Sequence, residues 1–466
     1  MLRKIRITIA AIMFVGMVLL FIGIGQDWFG WMAKLQLGPA LRGGIGAAGW
    51  SLATLALILV LTLLFGRIYC STICPLGIFQ DVVNNLSSRR KGKARRFHFR
   101  KEANILRYGV LTLFAVAWFA GIQLVVAILE PYSAFGRMVR SIASPMSLGW
   151  ALIIVAAVTL IAIVLLAWVY GRLYCNTICP IGTLLGLLSR VSLLRPVIDE
   201  SKCIDCHACE KKCKASCIDS ANKEIDRSRC IVCFDCIENC KSGAISFGRA
   251  PKKEKAEDAG GRRAFLTTAA LFGGAMALEA QEKKVDGGLA VLEGKKIPQR
   301  EGRLVPPGAG SEESFYSKCT ACQLCVAACP NNVLRPSRDL QHLMQPESSY
   351  EKGWCRPECT ACSEVCPAGA IQRISPEEKT AISIGRAAID YDLCLAFNGI
   401  EKCGNCAKHC PSGAILMVAK DGDAKKRIPS VCEEKCIGCG ACEYLCPTRP
   451  YSAIHINGLK KHIIHG

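Results

Sequence analysis

At 466 residues the chain has room for two or three domains, and its 30 cysteines are too regularly spaced to be a disulfide framework. A formal charge of +20 would ordinarily suggest nucleic acid or an anionic membrane. No basic–aromatic pattern accompanies that charge, which excludes nucleic acid as a partner.

The first 200 residues hold four long apolar runs, at about 5–25, 51–66, 106–129 and 148–170. A membrane-spanning helix needs about 20 apolar residues, and the second run reaches that by borrowing 45–50. Arg3, Lys4 and Arg6 open the chain, and a dense basic run fills 89–96. Both belong on the cytoplasmic side, which leaves the loops bearing Trp28 and Trp31, and Tyr132 and Phe135, outside. The expectation is four spanning helices with both ends inside.

An internal repeat supports two hairpins in parallel orientation. Phe65-Gly-Arg-Ile-Tyr-Cys70-Ser-Thr-Ile-Cys74-Pro-Leu-Gly77 recurs as Tyr170-Gly-Arg-Leu-Tyr-Cys175-Asn-Thr-Ile-Cys179-Pro-Ile-Gly182. In each C-x3-C-P motif the two thiols are one helical turn apart and share a face. Cys70, Cys74, Cys175 and Cys179 are therefore candidate cofactor-binding residues, holding a further cluster or acting as a redox dithiol; the bland alternative is packing. Arg67 and Arg172 read as interfacial anchors. Gln36 and Glu130, placed at the outer helix ends, are candidates for a site of proton release.

Residues 201–249 carry two C-x2-C-x2-C-x3-C runs, Cys203, Cys206, Cys209, Cys213 and Cys230, Cys233, Cys236, Cys240. Three thiolates from one tight loop cover three irons of a [4Fe-4S] cubane, and the fourth cysteine crosses to the neighbouring cluster. Cys240 is thus expected in the first cluster and Cys213 in the second. Zinc also takes C-x2-C pairs, but not usually strung four together twice. Cys203-Ile-Asp-Cys206-His207 fits a haem c attachment pattern, yet both cysteines belong to the cluster run. Cys217 is left over as a spare ligand or a buried thiol, and the usual proline is missing after Cys213 and Cys240.

Composition then shifts to a charged linker at 250–261, followed by Arg262-Arg263-Ala-Phe265-Leu266 and an apolar stretch. The 250–283 segment reads as a linker with a twin-arginine export signal, the bland alternative being a short amphipathic helix. A cluster-bearing domain must be loaded and folded before it crosses a membrane, which suits that machinery.

Residues 310–466 contain four more runs, each closed by Cys-Pro. They are Cys319, Cys322, Cys325, Cys329; Cys355, Cys359, Cys362, Cys366; Cys394, Cys403, Cys406, Cys410; and Cys436, Cys439, Cys442, Cys446. Which run exchanges its fourth cysteine with which is open, in sequence or nested. Cys432 stands as an alternative to Cys436. Six clusters are implied, or seven if the four paired cysteines of the hairpins hold another. The fold class expected is an α-helical membrane domain of two parallel-repeat hairpins plus α+β bacterial ferredoxin-like domains.

With these motifs in place, residues 1 to about 250 resemble the NapH-like family, four-helix membrane subunits with two C-x3-C-P motifs and a cytoplasmic two-cluster ferredoxin. Residues 260–466 resemble the NapG-like family, twin-arginine-exported proteins with four cysteine runs. The resemblance implies a quinol dehydrogenase-type subunit in the bacterial cytoplasmic membrane, with menaquinol as substrate and a periplasmic reductase or cytochrome as acceptor. It implies a cytoplasmic first ferredoxin and a periplasmic C-terminal domain. Two alternatives stand beside it: a cytoplasmic donor serving maturation or reactivation of a periplasmic metalloenzyme, and a redox-sensing or assembly scaffold without quinone turnover.

Overall fold

The computed structural model describes residues 1–42, 50–90, 97–120, 123–143, 145, 150–249, 285–286, 290–291, 294–337, 339, 341–342, 344–400, 402–420 and 423–465. The linker and twin-arginine segment expected over 250–283 lie outside the described residues. The chain divides into two compact units, residues 1–145 with 150–280, and residues 281–466.

The first unit is helical for most of its length. Its elements are α1 (Leu2–Ile22), α2 (Gln26–Lys34), α3 (Leu37–Arg42), α4 (Trp50–Phe65), α5 (Tyr69–Thr72), α6 (Pro75–Arg90), α7 (Asn104–Ala120), α8 (Gln123–Leu129), α9 (Pro131–Ala143), α10 (Trp150–Tyr170), α11 (Leu173–Thr177) and α12 (Pro180–Ser189). Two helices, Leu2–Ile22 and Leu152–Tyr170 within α10, are long and apolar enough to cross a membrane by length and composition. α4 and α7 contain shorter apolar helices, Ser51–Phe65 and Asn104–Trp118. α1 exposes Ile5, Ile9, Ile12 and Val15, and α10 exposes Ile154, Val158, Ile161 and Leu165. Such aliphatic faces need an apolar surrounding.

The repeat folds twice in the same way. α4 and α10 end at Gly66 and Gly171, whose φ values of 80° and 69° suit only glycine without strain. A one-turn helix follows in each, and then a proline at the first position of the next helix, where its missing N–H costs nothing. Cys179 caps α12, its sulfur accepting from Gly182 N at 3.3 Å.

The loops expected outside are helical and fold back instead. Gln36 donates to the carbonyl of Ile73 at 3.2 Å, inside the first C-x3-C-P motif, and Tyr69 Oη donates to Gln36 Oε1 at 3.1 Å. Glu130 is buried against Gly38, where a β-carbon would stand 1.5 Å from its carboxylate. Both residues are buried at helix boundaries, Gln36 just before α3 and Glu130 between α8 and α9. Tyr132 and Phe135 are likewise buried, packed on Phe21 at 5.3 and 6.1 Å between ring centroids. α9 is amphipathic and packs on α1, α6 and α10, with Arg140 donating to the last-turn carbonyl of Ile22 at 3.2 Å. A window for apolar runs passes over such a helix, because Ser133, Arg137, Arg140 and Ser141 interrupt it.

The ferredoxin segment belongs to the same unit. β1 (Arg195–Ile198) pairs antiparallel with β4 (Ile245–Gly248), and β2 (Ile218–Asp219) with β3 (Glu224–Ile225). Between them lie the one-turn helices α13 (Ala208–Lys212) and α14 (Asp235–Asn239). Leu193 N and Leu194 N donate to the carbonyls of Leu63 and Leu64 at 2.9 and 2.8 Å, satisfying the open end of α4. Phe65 stacks on Phe247, which meets Phe234 edge-on.

In the second unit, two short ladders, β5 (Val285–Asp286) with β6 (Ala290–Val291) and β7 (Leu334–Pro336) with β8 (Pro346–Ser348), precede the longer ones. β9 (Ile382–Ile389) pairs with β12 (Ile454–Ile464), and β10 (Ile415–Lys420) with β11 (Asp423–Val431). The helices are α15 (Glu312–Lys318), α16 (Leu324–Ala328), α17 (Ala361–Val365), α18 (Pro376–Thr380), α19 (Asn405–Lys408) and α20 (Ala441–Leu445). Ile384, Ile456, Leu304 and Tyr350 form the centre of the core, together with ligand-type cysteines such as Cys436 and Cys442. Each large apolar side chain buried there contributes about 1.5–3 kcal/mol. The remaining core is shaped around the cysteines.

Candidate redox centres

All six cysteine runs fold by one local rule. The third cysteine of each (Cys209, Cys236, Cys325, Cys362, Cys406, Cys442) is the second residue of a one-turn helix. The fourth stands at or just past that helix's end, in extended backbone in Cys213, Cys240, Cys329 and Cys366. In four runs the second cysteine is flanked by two left-handed residues. These are Asp205 and His207 (φ 52° and 54°), Val232 and Phe234 (54° and 64°), Ala321 and Gln323 (51° and 64°), and Gly438 and Gly440 (74° and 77°). A β-branched residue such as Val232 adopts φ > 0 only when its surroundings impose it. Alternating left-handed backbone turns successive N–H groups into one concavity, a cradle for an anion. The runs with widened gaps, starting at Cys355 and Cys394, lack the pair, so the spacing and the backbone change together.

The helices of the runs pack in sequence order, α13 on α14, α16 on α17, and α19 on α20. Two cavities show the fourth cysteine crossing over. One is lined by Cys230, Cys233 and Cys236 together with Cys213. The other is lined by Cys394, Cys403 and Cys406 with Cys446. Elsewhere the charges sort the same way: Cys366 is a neighbour of Cys325, Cys329 of Cys355 and Cys362, and Cys410 of Cys436 and Cys439. Pairing in sequence is thus the arrangement of the C-terminal half. Among the described residues, no group of three or more His, Cys, Asp or Glu side chains is placed to hold a single metal ion. In these two cavities the sulfurs stand around a common space, as a multi-iron group requires.

Burial pushes the thiols of Cys233, Cys362 and Cys439 up to about 12 and that of Cys406 to about 11. Such sites hold thiolates only when a cation shares the space, so cluster binding would release protons. Cys213 differs. The Cys217 sulfur lies 3.5 Å away, and this contact is the main cause that lowers Cys213 to about 7. Cys217 lines the same cavity and is buried. Cys432 donates its N–H to Ala414 and lines neither cavity.

Cys70, Cys74, Cys175 and Cys179 come together between the two repeats, each at most 5% exposed and each an electrostatic neighbour of others in the set. Arg67 and Arg172 are not interfacial anchors; they are 0% and 1% exposed. Arg67 Nη2 donates to the carbonyl of Cys175 at 2.9 Å, and Arg172 Nη1 to that of Cys70 at 2.8 Å. Each guanidinium therefore ties its own repeat to the other. Gly77 and Gly182 make room: a β-carbon would stand 2.4 Å from Cys70 O and 2.2 Å from Cys175 O, respectively. Gln80 Nε2 also lies 3.2 Å from Cys175 Sγ. Four thiols with two buried cations beside them suit an anionic centre.

This group is joined to the ferredoxin segment through Arg172 and through Asp81, Lys214 and Asp235. Arg172 Nε donates to Asp81 at 2.8 Å, and Lys214 bridges Asp81 at 3.2 Å and Asp235 at 3.1 Å. Burial works against the Asp81 carboxylate, but Arg172, Lys214 and Arg6 outweigh it and hold it well below the usual carboxylate range. Burial also disfavours the Lys214 charge, and Asp81, Cys233 and Asp235 more than compensate. Lys214 stands where the proline of the run is missing. Its ammonium explains the departure, since a proline there would leave Asp81 and Asp235 without their shared cation. The signal in the sequence was that absent proline.

Comparisons with known proteins add family descriptions to this geometry. A family described as a 4Fe-4S binding domain matches residues 47–94 and 147–198, the two repeats with their C-x3-C-P motifs. Families described as 4Fe-4S dicluster domains match residues 318–371 and 401–449. The ferredoxin-type protein NapF of Escherichia coli is 30% identical over 157 residues, which are 33% of this chain and 85% of that protein. The chain belongs to the 4Fe-4S ferredoxin-type proteins. Among other ferredoxin-type relatives, the methylamine utilization protein MauM of Methylorubrum extorquens is 34% identical over 150 residues, 31% of this chain and 67% of MauM. NapG of Escherichia coli is 34% identical over 155 residues, 31% of this chain and 66% of NapG. This ferredoxin-type chain is an iron–sulfur electron-transfer protein of several 4Fe-4S domains.

Proposed function

We propose that the protein is a membrane-anchored carrier that moves electrons between menaquinol and a periplasmic reductase or cytochrome. The observation that carries this reading is the Arg172–Asp81–Lys214 chain, which links the four cysteines among the apolar helices to the Cys213 cavity. When bound, each cluster stores and releases one electron. Six ligand sets would hold them: Cys203, Cys206, Cys209 with Cys240; Cys230, Cys233, Cys236 with Cys213; Cys319, Cys322, Cys325 with Cys366; Cys355, Cys359, Cys362 with Cys329; Cys394, Cys403, Cys406 with Cys446; and Cys436, Cys439, Cys442 with Cys410. Cys70, Cys74, Cys175 and Cys179 would hold a seventh centre, its negative charge balanced by Arg67 and Arg172.

Within the second unit the chain also orders its sites. Cys355 N donates to the carbonyl of Cys439 at 2.9 Å, and the buried Tyr350 hydroxyl donates to Gly438 at 2.6 Å. These bonds fix the Cys355 set against the Cys436 set, so the run through this unit does not follow sequence order. Four apolar helices would anchor the first unit, and the segment at 262–266 would direct the second across the membrane.

The test is anaerobic mixing of the iron-loaded protein in liposomes with a reduced menaquinone analogue. Bleaching of the cluster absorbance is expected; none, in protein that dithionite still bleaches, overturns the reading. Protease accessibility in spheroplasts tests the topology, with a C-terminal tag cut and residues 252–257 protected as the expected result.

A second reading, supply from a cytoplasmic donor, is favoured by one observation. Cys206 is exposed and Ile204 beside it is 68% exposed, which would put the first cluster within reach of a soluble partner. Reduction of the clusters by a reduced soluble flavoprotein, with no response to quinol, would select it.

A further inference from the structure

A cavity of about 840 Å³ in the first unit belongs to none of the cysteine sets. One wall is apolar, made by Ile7, Phe14 and Val15 of α1 and Val82 of α6. Ile7, Val15 and Val82 are also 43–55% exposed, so this wall continues onto the aliphatic outer face of α1. The rest of the lining is polar and includes Asp81, Asn84, Lys214 and Asp235.

Around Asp81 and Asp235 the charges of that lining are matched, while Lys212 stands at the same cavity. Arg6 pairs with Asp81 at 3.3 Å, Arg3 with Asp235 at 2.8 Å, and Lys214 with both carboxylates. A charged ligand set against Asp81 or Asp235 would have to break a largely buried ion pair, which is costly. What remains unsatisfied is neutral in demand: Arg6 Nε, a donor, and Asn84 Oδ1, an acceptor, are buried without a hydrogen-bond partner. Both residues line the cavity. One free donor and one free acceptor suit a ring bearing an oxygen and a hydroxyl, and the apolar wall suits a hydrocarbon tail.

We propose that this cavity binds an isoprenoid hydroquinone, its tail along α1 and α6 and its ring against Asn84 and Arg6. The site rests on the quinol reading above and supplies its location. It lies beside Lys214, next in sequence to Cys213, and Asp81, the partner of Arg172. It is distinct from the buried Gln36 and Glu130, which do not line it.

The experiment is photolabelling of the iron-loaded, full-length protein in liposomes with an azido-quinone, followed by peptide mapping. Adducts within residues 2–22 and 75–90, displaced by menaquinone analogue, are expected. Asn84→Leu removes the acceptor and should weaken labelling about tenfold, the effect of one lost hydrogen bond at a buried site. Ala11→Trp, at the cavity lining, should abolish it while iron content stays at the wild-type level. Adducts elsewhere, labelling unchanged in both variants, or displacement by phospholipid and not by quinone would overturn the site. Labelling here without cluster bleaching by quinol would retain the site and overturn the function; bleaching with adducts elsewhere would do the reverse.

Discussion

Arg172 donates to the carbonyl of Cys70 across 2.8 Å, from the second repeat into the first. The same guanidinium holds Asp81, so one side chain closes the cysteine group and starts the chain to Lys214. Removing it by Arg172→Met leaves Asp81 buried with only Lys214 and Arg6. The expected loss is about 3–5 kcal/mol, as for other broken buried pairs. Arg172→Lys should recover less than half, because a point charge cannot serve Cys70 O and Asp81 as a planar fork does. Thermal unfolding in detergent checks both.

The crossing of fourth cysteines makes double mutants diagnostic. Cys446→Ser and Cys394→Ser fall in one cavity set, whereas Cys446 and Cys442 fall in two. The pair Cys394→Ser with Cys446→Ser should therefore lose one cluster's worth of iron, and Cys442→Ser with Cys446→Ser should lose two. Iron analysis after anaerobic purification decides it. Equal losses in both pairs would contradict the crossing.

Gly440 has no room for a side chain. Its φ is 77°, and a β-carbon would lie 2.2 Å from the Tyr350 ring. Gly440→Ala should cost about 2–4 kcal/mol, from left-handed strain and overpacking together. Tyr350→Leu in the same chain should recover part of that loss. Tyr350→Phe alone forfeits the hydrogen bond to Gly438 and should cost about 1 kcal/mol. Denaturant unfolding of the loaded protein measures all three.

His462 gives the second unit a pH dependence. Its ring is buried, both ring nitrogens lack a hydrogen-bond partner, and burial lowers its pKa from 6.5 to about 4. The neutral ring is therefore the form that folds. Its contribution is fully present above pH 6.5 and is lost as pH falls towards 4, because the unfolded chain takes up the proton first. The loss should reach at most about 3 kcal/mol. Amide exchange of β12 should show this acid sensitivity, and His462→Phe should flatten it relative to the wild type.

Cluster chemistry was legible in the sequence because its ligands are local. Four cysteines within eleven residues, such as Cys319 to Cys329, state the spacing of a cubane whatever surrounds them. The repeat at Cys70 and Cys175 was visible for the same reason, as was the apolar length of α1 and α10. What joins these parts was not. Arg67 and Arg172 looked like interfacial anchors because only the packed hairpins bring them to the carbonyls of Cys175 and Cys70, 108 and 102 residues away in sequence. Gln36 and Glu130 were placed outside because nothing local marks a loop that folds back onto the cysteines. Sequence alone determined which groups can hold iron, since that depends on spacing along a few residues. Only the tertiary structure decided which runs exchange a ligand and which charges meet across Asp81, since a buried charge needs partners from distant segments.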